Sequence, residues 1–105
     1  MRVTVSHNQP KEEVVRAIDG SFDDLFRGIG IVPLRITNEK RSWSGTTLTF
    51  SFDARMGLIA APIAGTVEVA EKDVTITVDF GWLEKLIPAK QAGPALQSRI
   101  RGLLK

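Results

Sequence analysis

The sequence predicts an α+β fold: a two-layer domain of order β-α-β-β-β-β-α, with an antiparallel sheet packed against a long C-terminal helix. Three observations carry this expectation. From Thr46 to Phe80 apolar and polar residues alternate, with Leu48, Phe50, Phe52, Ala54, Met56 and Leu58 on one parity and Thr47, Thr49, Ser51, Asp53 and Arg55 between them. A strand points successive side chains to opposite faces, so this pattern describes a sheet with one buried and one wet face. Elsewhere the spacing changes to three and four residues, at Val14, Ile18, Phe22, Leu25 and Phe26 and again at Leu96, Ile100, Leu103 and Leu104. Those are helix stripes. The third observation is register. A two-residue turn at Glu71-Lys72 sets Val69 opposite Val74, Val67 opposite Ile76 and Ile63 opposite Phe80, with Glu68 facing Thr75 on the wet side. Because Glu-Lys is not a favoured hairpin pair, a four-residue loop of the same register is an equal alternative.

The elements follow in order. Arg2 to Ser6 reads as a short strand with Val3 and Val5 facing in. Pro10 suits the first position of a helix, and Glu12 and Glu13 favour its first turn. Gly20 weakens that helix by roughly 1 kcal/mol relative to alanine and marks a bend, and Gly28-Ile29-Gly30 stops it. Pro33 introduces a second strand from Leu34 to Thr37 or a little beyond, and Lys40 to Gly45 reads as a loop. The long alternating strand starts at Thr46, the next strand runs from Ile63 to Ala70, and the last from Asp73 to Phe80. Trp82 to Ile87 starts helically and is interrupted at Pro88. Gly93-Pro94 falls inside the terminal helix, which is therefore expected to kink or to form two pieces. The four consecutive strands form an antiparallel meander, the first strand joins one edge, and the helices cover the apolar face.

Length and composition narrow the function classes. A chain of 105 residues makes one domain, residues 1–105, with enough buried surface for an unstapled core. There is no cysteine, hence no disulfide framework, thiolate nucleophile or cysteine-held metal. The opening Met1-Arg2-Val3-Thr4-Val5 lacks a signal-peptide apolar core. No apolar run approaches the roughly 20 residues of a membrane span, so a cytoplasmic protein without a transmembrane segment is expected.

The residues that carry chemistry are sparse, and no enzymatic activity, cofactor or metal is expected. His7 is the only histidine and there is no tyrosine. A lone histidine after a strand reads as a polar loop residue or one that leads into a helix, since a working imidazole needs oriented partners. Asp23-Asp24 has no companion ligands for a metal and falls on the exposed side of its helix. Gly28-Ile29-Gly30 ends a helix instead of joining a strand to a helix N-terminus, so it is no phosphate loop. Ser6, Ser42, Ser44 and Ser51 lack a nucleophile-elbow setting.

Three surface features carry what binding signal there is. Trp43, beside Lys40 and Arg41, either packs back onto the sheet edge or binds a ligand or partner. The apolar run Met56 to Ile63 falls where a connection ought to be polar. Either both strands run long and pack beneath a helix, or Met56, Leu58, Ile59 and Ile63 form an exposed apolar tip that docks on a hydrophobic surface. Third, residues 81–105 hold Lys85, Lys90, Arg99, Arg101 and Lys105 against the single acid Glu84. Lys90, Arg99 and Arg101 either complement a helix dipole in solvent or meet nucleic acid, anionic lipid or an acidic partner. A homodimer through the Thr-rich outer face or an exposed strand edge is a further option.

The whole chain resembles the polyhydroxyalkanoic acid system protein family, small bacterial proteins associated with polyester storage-granule loci. The similarity rests on Arg2-Val3-Thr4-Val5-Ser6-His7-Asn8, on Phe22-Asp23-Asp24-Leu25-Phe26, and on Trp43-Ser44-Gly45 followed by Leu48-Thr49-Phe50. It continues through Met56-Gly57, Gly65-Thr66-Val67-Glu68-Val69, Lys72-Asp73-Val74-Thr75-Ile76, Leu86-Ile87-Pro88 and Arg101-Gly102-Leu103-Leu104. Gly93-Pro94 departs from a smoother terminal helix. The resemblance implies a storage-polymer setting and a granule surface or granule-associated protein as partner, and it brings no catalytic residues. The element order is also similar to a shortened helix-grip domain of the START type, whose sheet and C-terminal helix often enclose an apolar ligand. That likeness leaves a small apolar-ligand carrier or minimal START-like enzyme as the alternative, with nucleic-acid binding through the basic terminal helix behind it.

Overall fold

In a computed structural model describing residues 1–26, 35–82 and 89–104, the alternating stretch forms three antiparallel strands. These are β3 (Thr47–Met56), β4 (Ile59–Val69) and β5 (Asp73–Asp79), preceded by β1 (Arg2–Ser6) and β2 (Arg35–Ser44). The strand order is β1-β5-β4-β3-β2, the expected meander with β1 added to the β5 edge. Val69 faces Val74, Val67 faces Ile76 and Glu68 faces Thr75. Ala70 N–H donates to the Asp73 carbonyl at 2.8 Å, so Glu71-Lys72 is the two-residue connection.

Helices α1 (Lys11–Gly20), α2 (Phe22–Phe26) and α3 (Ala89–Leu103) complete the α+β fold. The apolar stripes decide which faces they bury. Val14 and Ile18 of α1, Phe22 and Leu25 of α2, and Leu96 and Ile100 of α3 are all buried, in one core with Val3, Val5, Leu48, Phe50, Phe52, Ile63, Val67 and Ile76. Phe22 meets Phe50 edge-on at 5.0 Å between centroids, and Phe50 stacks on Phe52 at 6.1 Å.

Several boundaries differ from the sequence expectation. Pro10 is the N-cap of α1, one position before the helix, and its carbonyl accepts from Glu13 and Val14 N–H. The break after Gly20 falls at Ser21, whose N–H turns back to the Ala17 and Ile18 carbonyls. α3 is one helix from Ala89 to Leu103 with Pro94 inside it, not two pieces. Residues 28–30, the stop expected for the first helix, lie outside the described residues, as do Leu34 and 83–88.

The largest difference is β2. Lys40 to Ser44 is strand, not loop, and pairs with β3 up to Ser44↔Thr47. A bulge between Thr37 and Lys40 adds one residue, with Asn38 at φ 54°. The extra residue reverses parity, so Ile36 (opposite Ala54) and Trp43 (opposite Leu48) share the inner face despite their odd separation. That reversal hides the strand from any period-two reading.

His7 is 6% exposed and ties three elements together. Its Nε2–H donates to the Ala70 carbonyl at 2.8 Å, and its Nδ1 accepts Gln9 N–H at 3.2 Å. Its own backbone N–H donates to the Lys72 carbonyl, and Gln9 Nε2 donates to the Leu104 carbonyl at the end of α3. The unfavourable Glu-Lys turn is therefore braced from β1. His7→Ala is expected to lower the unfolding free energy by about 2 kcal/mol in urea titration, because it removes the buried imidazole and both of its hydrogen bonds.

Candidate functional site at the end of the β3–β4 hairpin

The paired part of β5 ends at Asp79, opposite Ala64, while β4 continues back to Ile59. Residues 59–63 therefore lie beyond the last β4–β5 pair and form an arm with β3, whose pairs run to Met56↔Ile59. The molecule is correspondingly long, 41 Å against a thickness of 18 Å. Gly57 and Leu58 make the turn. Gly57 has φ 62° and Leu58 keeps a negative φ, the pattern of a II′ turn with glycine first. The strands thus run long, and the end they reach is exposed.

Leu58 at the apex is fully exposed and Ile59 is 49% exposed. Trp82, 48% exposed, follows Gly81, which lies beside the Pro62 carbonyl at the base of the arm. These are the large hydrophobic side chains left exposed among the described residues, Leu58 and Ile59 at the apex and Trp82 next to the base of the arm. Ile63 is not part of this surface: it is 1% exposed, opposite Phe52 on the inner face. The side chains of Met56 and Lys90 lie outside the described residues.

Trp43 packs back. It is half-buried against the core, and its Nε1–H donates to Asp19 Oδ1 at 3.0 Å. Arg41 pairs with the same Asp19 oxygen at 3.2 Å and stands over the Phe22 ring at 5.0 Å, clasping α1 to β2. Arg99 is a structural cation as well. It donates to the Asp24 carbonyl at 2.9 Å and the Leu25 carbonyl at 3.3 Å, capping α2, and remains half-exposed. Arg101 is exposed.

Sequence reasoning missed two residues here. Trp82 was read only as the start of a helix, and its exposure follows from the turn at Gly81 (φ 58°). The structural role of His7 depends on the β4–β5 turn, 63 residues away, and left no local signal.

Phe50, Phe52, Ile76, Leu96 and Ile100 are each exposed by 3% or less and belong to one core, while a cleft of about 360 Å³ between α2 and α3 is lined by Leu25, Arg99 and Leu103. On the outer face an open groove of about 380 Å³ is lined by Asn38, Asp53, Pro62, Ala64, Asp79 and Gly81. Its acids are engaged, Asp53 with Asn38 Nδ2 at 2.8 Å and Asp79 with Gly81 N–H at 2.9 Å. Among the described residues no three His, Cys, Asp or Glu side chains are grouped to hold a metal, and no helix is long and apolar enough to cross a membrane. No family model, curated protein or solved structure matches the chain.

Proposed function

We propose that this chain is a non-enzymatic accessory protein of polyhydroxyalkanoate storage, acting by docking the apex of the β3–β4 arm on the granule surface or on a protein of that surface. The observation that carries the reading is the fully exposed Leu58, followed by half-exposed Ile59, at a turn whose geometry asks for no apolar side chain. Contiguous apolar exposure of this kind marks contact with another apolar surface. The resemblance to the polyhydroxyalkanoic acid system family supplies the setting, a granule in the cytoplasm.

The alternative of an apolar-ligand carrier needs open space between the sheet and α3, where Phe50, Phe52, Ile76, Leu96 and Ile100 are buried in one core. For nucleic-acid binding, Arg99 is held at the end of α2 by its bonds to the Asp24 and Leu25 carbonyls, which ties it to a structural role. Burying Leu58 and the open half of Ile59 contributes on the order of 2–4 kcal/mol, a millimolar-class contact when taken alone. A fluorescent fusion in polymer-accumulating cells is expected to label granules, and Leu58→Asp to release most of it into the cytoplasm. Granule labelling that survives both Leu58→Asp and Ile59→Asp contradicts the reading.

A further inference from the structure

The apolar apex carries a collar of positive charge. Arg55 and Arg35 are register partners across β3 and β2, both exposed on the outer face next to the apex. Like charges placed directly opposite each other are unfavourable, and the ion pairs of Asp19 and Glu39 go to Arg41 and not to this pair. Asp53, the nearest acid on this face of β3, is turned to Asn38. Neither arginine is ion-paired among the described residues, and their strand positions lie about 7–10 Å behind Leu58, given about 3.3 Å per strand residue.

That spacing resembles the ~5–10 Å between headgroups and the level to which interfacial apolar side chains sink. Guanidinium groups pair well with phosphate, bidentately and with little desolvation cost. The apex exposes only two large side chains, far less than the ~800 Å² per partner of a stable protein interface. Insertion into a fluid layer needs no matching surface.

We infer that the β3–β4 arm docks on an anionic phospholipid surface, with Leu58 and Ile59 entering the acyl region and Arg35 and Arg55 binding lipid phosphates. The inference rests on the apex being the docking surface and adds what covers the granule, or another lipid body, where it docks.

The test is sedimentation of the full chain with vesicles of phosphatidylcholine alone and of phosphatidylcholine with phosphatidylglycerol in equal amounts, beside bare polyhydroxybutyrate particles. Binding to the anionic vesicles is expected to exceed binding to the neutral ones and to weaken with salt. Each arginine near such a surface is worth roughly fivefold, so Arg35→Gln with Arg55→Gln is expected to lose about 25-fold on anionic vesicles. The same double variant should retain its binding to bare polyester. Equal binding to both vesicles, or an unchanged double variant, overturns the lipid inference while leaving polyester docking intact. Binding to anionic vesicles but not to polyester or granules overturns the storage reading alone. Heparin bound as tightly as the anionic vesicles, with Leu58→Asp having no effect on either, contradicts the inference in favour of a polyanion partner.

Discussion

Gly65→Ala is expected to lower the unfolding free energy by about 3 kcal/mol, enough to shift the thermal midpoint by roughly 12–20 °C in a domain of this size. A Cβ at residue 65 would lie 2.8 Å from Phe50 Cζ and closer still to the Thr77 carbonyl oxygen. Real side chains do not tolerate either approach. The Phe50 ring lies over this bare stretch of β4, stacked with Phe52, so glycine here makes room for a full aromatic ring of the core. The ring cannot swing away, because Phe22 closes it from the other side. Gly20→Ala is the matching control. Its Cβ would meet nothing within 4 Å, and a gain of about 0.5–1 kcal/mol is expected at the end of α1. Urea titration of both variants separates a close-packing role from a general aversion to substitution. A Gly65→Ala protein as stable as the wild type would mean that β4 and β5 are packed differently.

Phe22→Ala is expected to cost about 3–5 kcal/mol, and Phe22→Leu less than half of that. Phe22 is 1% exposed and touches two ring systems edge-on, Phe50 at 5.0 Å and Phe52 at 6.4 Å. It also lies beneath the Arg41 guanidinium, which in turn holds Asp19. Removing the ring therefore opens a cavity and frees the clasp between α1 and β2. Near-ultraviolet circular dichroism should report the second effect, since Trp43 shares the Asp19 carboxylate. A loss below 1 kcal/mol with an unchanged tryptophan signal would contradict this placement of α2.

How much of this was legible in the sequence depended on whether the informative contact was local. Val67, Val69, Val74 and Ile76 lie within one hairpin, and their parity alone fixed the register now seen. The helix stripes at Val14 and Ile18 and at Leu96 and Ile100 named the core correctly for the same reason. β2 was not legible beyond Thr37, because the bulge at Asn38 reverses parity midway and sets its two inner-face apolar residues, Ile36 and Trp43, at an odd separation. Its bulge and charges suit an edge that has to resist pairing with other chains. His7 escaped because its partners, Ala70 and Lys72, come from the far end of the chain. At the apex, residues 57–60 do not pack beneath a helix. The strands do run long, which buries Ile63 against the core and carries Leu58 out into solvent.

The hairpin apex now joins these levels. Alternation builds the arm, the close pairing of β3 with β4 holds it straight, and the glycine-first turn presents Leu58 at its end. Arg35 and Arg55 sit one step behind. The chain has no cysteine, so Leu58→Cys provides a unique attachment point for a polarity-sensitive fluorophore, and Glu68→Cys on the exposed outer face provides its control. On addition of phospholipid-coated polyhydroxybutyrate particles, the label at residue 58 is expected to shift to the blue and the label at residue 68 to stay unchanged. No shift at residue 58, or equal shifts at both positions, would contradict docking through the apex.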